Sequence, residues 1–94
     1  MLERDIEHAV CDYAKAQGML VYKFTSPARS AVPDRLFVTD HGVVFFIEFK
    51  RKGAKATPAQ LREHGRLKGH GVEVFVIDDV QLGKWTIDRM VMRL

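Results

Sequence analysis

The stretch from residue 33 to residue 50 constrains the fold most, because it predicts an antiparallel β-hairpin with carboxylates at its open end. Two apolar runs of similar length flank residues 40–42, whose sequence Asp-His-Gly favours a tight turn. A loop of these residues sets a register in which Asp34 lies directly opposite Glu48. Directly opposed residues share one face of the sheet, with Cβ atoms about 4.5–5.5 Å apart. We therefore expect two facing carboxylates where the hairpin ends.

A lysine belongs to the same predicted cluster. Lys50 returns to the face of Glu48, roughly 7 Å further along the strand, while Phe49 between them points into the opposite layer. Two like charges call for a cation, and Mg²⁺ prefers oxygen ligands. A metal bound there would polarise a phosphoryl oxygen and promote hydroxide formation, and the lysine would add positive charge. The alternative is an ion pair of Glu48 with Lys50 on a solvated edge strand, with Asp34 as a turn residue.

These residues resemble a nuclease signature. The order Pro33-Asp34 followed by Glu48-Phe49-Lys50 is similar to the PD-(D/E)XK pattern, and the fuller sequence resembles its virus-type replication-repair nuclease (VRR-NUC) branch. That similarity covers residues 1–78 and rests on four segments, at 2–6, 32–37, 44–50 and 57–61. It implies an α/β fold with an αβββαβ core, a mixed central sheet flanked by helices, and one domain over residues 1–94.

The resemblance also implies an activity. Similarity to the VRR-NUC branch implies a Mg²⁺-dependent DNA endonuclease, and we expect Mn²⁺ to be able to replace Mg²⁺. Asp34 and Glu48 would ligate the metal with the backbone carbonyl of Phe49. Glu3 would assist, directly or through water, and Lys50 and Gln60 would position or activate the nucleophile.

Similar stand-alone domains, including phage members, act in replication or repair on branched DNA such as four-way (Holliday) junctions, and they resemble archaeal junction resolvases. They imply a homodimer, because symmetric cutting of two strands needs two sites. In the family pattern, glycine commonly lies two residues before the Pro-Asp pair, where this chain has Ala31. A left-handed backbone at this position would be unfavourable for alanine.

Two of the implied site residues also have ordinary structural explanations. Glu3 lies near the edge of the apolar stripe of the first predicted helix, with Glu7 further round toward water. An acid at a helix N-terminus is also favoured by the helix dipole. Gln60 is the third residue of a helix that begins with Thr57 as N-cap and Pro58 at its first position, so it suits a capping box. Both explanations stay open beside the catalytic ones.

Candidate DNA contacts lie on both sides of the hairpin. Residues 26–32 connect a predicted strand at 19–25 to the hairpin, and they lead into its open end. Guanidinium and hydroxyl groups there match phosphate geometry. The basic link that leaves the site would attract the same backbone, although loop side chains of this kind are commonly just solvated. The candidates are Ser26, Arg29, Arg35, Arg51, Lys52 and Lys55.

The remaining chain predicts a helix, a strand and an apolar tail. The helix from Thr57 stops near residues 69–71, and residues 72–77 predict a strand parallel to that of Glu48 through a crossover. Asp78 and Asp79 are interpreted as a turn and a helix cap. The tail at 81–94 closes the core or covers a partner subunit.

Length and composition limit the number of domains, the kind of partner and the cellular location that the chain can have. A chain of 94 residues with 47% hydrophobic composition suits one domain, and a net charge of +3 permits a polyanionic partner. Cys11 has no disulfide partner and is expected to pack as a small apolar group. No apolar run reaches the roughly 18 residues of a membrane span, and the start is unlike a signal peptide. We expect no membrane association and a cytoplasmic location, in the host cell if the chain is phage-encoded.

Two further function classes stay open. One is a non-catalytic nucleic-acid-binding module that keeps the fold. The other is a metal-dependent phosphoesterase acting on a different substrate. The histidines lie in different elements without zinc-binding spacing, so none is expected to be an obligate metal ligand.

Overall fold

A four-stranded mixed sheet with helices on both faces organises the chain, and the computed structural model describes all 94 residues. The elements are α1 (Glu3–Ala16), β1 (Leu20–Lys23), β2 (Arg35–Val38), β3 (Val44–Phe49), α2 (Pro58–Gly69), β4 (Glu73–Ile77) and α3 (Val80–Val91). The strands lie in the order β1-β2-β3-β4, antiparallel except for the parallel β3–β4 pair. The predicted αβββαβ core is confirmed, and α3 extends it.

The hairpin of β2 and β3 has the predicted register. Paired residues run from Val38 opposite Val44 to Arg35 opposite Ile47. The backbone N–H of Thr39 donates to the carbonyl of Val43 at 2.9 Å, which closes the turn. Gly42 has a φ of 79°, a left-handed conformation that suits glycine. The turn thereby determines which side chains reach the open end of the hairpin.

The core lies between the sheet and the α1–α3 pair. Alternate residues of β2 and β3 point into it, and the rings of Phe37 and Phe45 stack with centroids 4.9 Å apart. Gly83 of α3 lies directly against Val10 of α1, where a Cβ would overlap the valine side chain. This close approach lets Ile87 and Met90 join the core. The core residues are Ile6, Val10, Cys11, Ala14, Met19, Phe37, Phe45, Ile47, Phe49, Ile77, Ile87 and Met90. The tail therefore closes the core, as one of the two sequence interpretations proposed.

Two smaller predictions are also confirmed by this packing. Cys11 is buried, and burial raises the pKa of its thiol to about 11, which suits an apolar packing role. Asp79 is the N-cap of α3, because its side chain accepts a hydrogen bond from the backbone N–H of Leu82 at 3.0 Å. No helix combines the length and the apolar character needed to cross a membrane.

Helix α2 covers part of the opposite face and packs with a polar side inward. It buries Glu63 and His64, whereas Leu61 is 57% exposed, because the helix docks beside the polar end of β3. Arg29 binds Glu63 at 2.9 Å and thereby attaches the 26–32 loop to α2.

The rest of that face carries no helix, and we call it the open face. Leu20, Val38 and Val44 are neighbours across β1, β2 and β3, and Tyr22 and Leu36 form the next row. Leu20 is 56% exposed, Tyr22 52% and Val44 42%. The open face is thus an apolar surface spread over three strands.

Candidate active site

Asp34 and Glu48 meet at the open end of the hairpin. Asp34 immediately precedes β2, and its Oδ2 accepts a hydrogen bond from the backbone N–H of Phe49 at 2.8 Å. This contact turns the Asp34 carboxylate toward β3, where Glu48 is buried. Burial first, and then the negative charge of Asp34, raise the pKa of Glu48 to about 7. The two carboxylates are therefore close enough to repel each other, as the register predicted.

Lys50 and Gln60 both approach one oxygen of Glu48. The Nζ of Lys50 lies 3.7 Å from Glu48 Oε2, and Gln60 Nε2 donates to the same oxygen at 3.2 Å. Gln60 also completes the capping box: its Oε1 accepts from the backbone N–H of Thr57 at 2.9 Å, and Thr57 Oγ1 accepts from the N–H of Gln60 at 3.1 Å. One atom of the Gln60 amide thus completes the capping box and the other contacts Glu48, while a catalytic role for Gln60 stays a prediction.

The other oxygen of Glu48 faces a residue that the sequence reasoning missed. His64 Nε2 lies 3.9 Å from Glu48 Oε1, and both atoms are buried without a hydrogen-bond partner. Burial, with smaller effects of Lys68 and Lys50, lowers the pKa of His64. The available signal was the spacing, because residues four apart on a helix share a face and His64 follows Gln60 by four.

An open cleft of about 250 Å³ lies beside Asp34. Glu3 and Glu7 of α1 line it, together with Lys23, Phe24, Thr25 and Asp34. Glu3 thus faces the cleft, and its charge adds to the rise of the Glu48 pKa. The prediction that Glu7 turns toward water was wrong: its Oε2 accepts from Arg35 Nε at 2.6 Å.

The basic candidates fall into two groups. Arg35 is only 20% exposed and holds α1 to β2 through Glu7, so it has a role in the fold, and its contact with phosphate stays a prediction. Arg29 pairs with Glu63, and Lys52 pairs with Asp79 at 3.1 Å, although both side chains stay about half exposed or more. The remaining candidates, Ser26, Arg51 and Lys55, lie on the surface or half-buried, and their contact with DNA stays a prediction.

The donor set fits a hard divalent ion. Two facing carboxylates, one of them buried with its pKa raised, are stabilised when a cation offsets their repulsion. Nowhere do three or more Asp, Glu, His or Cys side chains converge into a metal-ligating cluster. Mg²⁺ is commonly held through one or two carboxylates and keeps several waters.

Comparison with known proteins gives a nuclease relative and a matching fold. No family model matches the chain. It is 44% identical over 80 residues to "Putative nuclease p44" of Acyrthosiphon pisum secondary endosymbiont phage 1, a match that covers 85% of this chain and 86% of that protein. A solved structure described as "VRR_NUC domain" superposes with a TM-score of 0.85 at 33% identity, covering 92% of this chain and 94% of the other. The chain belongs to the virus-type replication-repair nuclease (VRR-NUC) family.

Proposed function

We propose that the protein is a Mg²⁺-dependent endonuclease that hydrolyses DNA phosphodiester bonds, with Mn²⁺ able to substitute. The observation that carries this proposal is the pairing of Asp34 with the buried Glu48, and the position of Lys50 Nζ at 3.7 Å from that carboxylate. The phage relative's name and the family fold support nuclease chemistry. The phage relative also supports action in a host-cell cytoplasm.

In this proposal, Asp34 and Glu48 hold the metal with the backbone carbonyl of Phe49, and Glu3 assists from the cleft. A divalent ion held by these residues would supply Lewis-acid chemistry for phosphodiester hydrolysis. Lys50 places a positive charge beside the reacting phosphate.

Gln60 keeps the Glu48 carboxylate in one orientation through its 3.2 Å hydrogen bond. Its own rotamer is limited by the capping box with Thr57. Residues of β3 and α2 together thus orient the Glu48 carboxylate.

The proposed substrate is branched DNA such as a four-way junction, in replication or repair, and the proposed active form is a homodimer. Symmetric cutting of two strands needs two active centres, and each chain supplies one. We place the dimer contact on the open face, because Leu20, Tyr22 and Val44 expose apolar surface there in neighbouring strands. Exposed apolar patches of this kind typically mark interaction surfaces.

A cleavage assay tests the proposed activity. Labelled four-way junction, nicked, single-stranded and linear duplex DNA are incubated with Mg²⁺, with Mn²⁺ or with EDTA. We expect metal-dependent cutting, strongest on the junction, that is lost in Asp34→Ala, Glu48→Ala and Lys50→Ala proteins that remain folded.

The other outcomes separate the alternatives. Junction binding without cutting under every metal condition would contradict an enzyme and indicate a binding module. Hydrolysis of small phosphoesters but not of DNA would indicate a different phosphoesterase. Undiminished cutting by Lys50→Ala would remove the lysine from the mechanism.

A further inference from the structure

We propose that His64 is a positioning residue that fixes the free oxygen of Glu48 through its Nε2–H. The proposal rests on the proposed function only in that Glu48 is taken to be a metal ligand. Its direct basis is the pair of atoms described above: Glu48 Oε1 and His64 Nε2 are both buried, both without a hydrogen-bond partner, and 3.9 Å apart.

The surroundings of the imidazole favour this pairing. The His64 side chain is only 3% exposed, and a buried polar atom without a hydrogen-bond partner is energetically unfavourable. A distance of 3.9 Å is too long for a hydrogen bond. A shift of about 1 Å would give a hydrogen-bond distance, and hydrogen bonds in catalytic sites often shorten only in the working complex. In the tautomer with a proton on Nε2, each atom would then satisfy the other.

Helix α2 supplies a matching contact to the second oxygen. Gln60 and His64 are four residues apart, so they lie one above the other on the same side of the helix. Gln60 Nε2 donates to Glu48 Oε2 at 3.2 Å, while His64 Nε2 faces Oε1. One turn of α2 would thus hold the carboxylate at both oxygens, which fixes its rotation about the last side-chain bond. Outer-shell contacts of this kind orient the ligands of metal sites.

Two substitutions of His64 separate a hydrogen bond at Nε2 from simple packing. The amide nitrogen of a glutamine reaches close to the Nε2 position, whereas that of an asparagine reaches only the Nδ1 position. Binding of Mn²⁺ alone, measured by titration calorimetry, should weaken by about 10–100-fold in His64→Leu. We expect His64→Gln to restore affinity and His64→Asn to fail. His8→Gln, at an exposed position of α1, is the control that should bind as the unsubstituted protein does.

A second measurement needs neither metal nor DNA. In protein labelled with ¹⁵N at histidine and kept in EDTA well above pH 7, where Glu48 is ionised, the ring resonances of His64 are assigned by their loss in His64→Gln. We expect a protonated Nε2 whose N–H exchanges slowly with water, and we expect Glu48→Ala to shift it and speed its exchange.

Either measurement can overturn the proposal. An Nδ1-protonated ring, a resonance insensitive to Glu48→Ala, or Mn²⁺ affinity unchanged in His64→Leu would each contradict it. Equal affinities of the Gln and Asn variants would indicate packing alone. If the unsubstituted protein binds no Mn²⁺, the proposed metal chemistry fails separately, and the imidazole resonance decides the role of His64.

Discussion

Glu48 is the residue on which most contacts of the site converge. One of its oxygens is approached by Gln60 and Lys50, the other faces His64, and Asp34 lies opposite. Burial and the charge of Asp34 raise its pKa to about 7, from an ordinary value of 4.5. In the metal-free protein between pH 4.5 and about 7, Glu48 therefore keeps its proton in the folded chain and loses it in the unfolded chain.

This shift predicts a pH-dependent effect of Glu48→Gln in EDTA. As pH rises from 4.5 to about 7, the unfolded state gains stability by ionising Glu48 and the folded state does not. A neutral glutamine has no ionisation that favours the unfolded state. Above pH 7 the variant should therefore be more stable than the unsubstituted protein, by up to about 3 kcal/mol. Below pH 4.5 the two proteins should have similar stability. Urea unfolding at pH 4 and pH 8 measures the stability of the variant and of the unsubstituted protein. A stability difference of the same size at both pH values would contradict the raised pKa of Glu48.

Ala31 gives a second prediction at the residue scale. Its φ is 65°, the left-handed region that alanine adopts at a cost of roughly 1 kcal/mol. Ala31→Gly should raise the free energy of unfolding by up to about 1 kcal/mol. Ala9→Gly, within α1, is the matched control and should lower it by about 0.5–1 kcal/mol. Urea unfolding of both variants checks the sign, and destabilisation by Ala31→Gly would show that this backbone is not left-handed in solution.

At the scale of elements, local sequence predicts the hairpin well and the docking of α2 poorly. The turn at residues 40–42 and the alternation of β2 and β3 determine the register, so the Asp34–Glu48 pair could be foreseen. Which side of α2 faces the sheet depends on tertiary packing, so local sequence does not predict that Glu63 and His64 are buried while Leu61 is exposed. The contact of His64 with Glu48 follows from that docking, as the Glu7–Arg35 pair follows from the packing of α1 on β2.

The capping box of α2 should influence both stability and catalysis. Thr57→Ala removes the side chain that accepts from the Gln60 N–H, at a cost of about 1 kcal/mol. It should also slow DNA cleavage, because Gln60 loses part of the arrangement that holds its amide toward Glu48. Thr57→Ser keeps the hydroxyl and should preserve both properties. Cleavage rates and urea unfolding of the two variants measure the coupling, and unchanged cleavage in a destabilised Thr57→Ala protein would separate the cap from the site.

At the scale of the whole molecule, the open face is the surface that the fold leaves uncovered. If it forms the dimer, a charge placed there should dissociate the protein without unfolding it. Leu20→Glu should sediment as a monomer in analytical ultracentrifugation. Leu61→Glu is the matched control on α2, since Leu61 is 57% exposed and Leu20 is 56% exposed. A monomeric unsubstituted protein at concentrations where it cuts DNA would defeat the dimer, and dissociation by Leu61→Glu alone would relocate the contact to α2.

Sheet, hairpin and α2 together bring Asp34 and Glu48 to one place beside Lys50, where we propose that the two carboxylates share a divalent ion. Crystals soaked in Mn²⁺ test it most directly, because anomalous scattering locates the ion without reference to activity. We expect a single strong anomalous peak between the two carboxylates, and we expect it to be absent in crystals of Glu48→Ala. A peak bound to other residues, or none at Mn²⁺ concentrations that support cleavage, would contradict it.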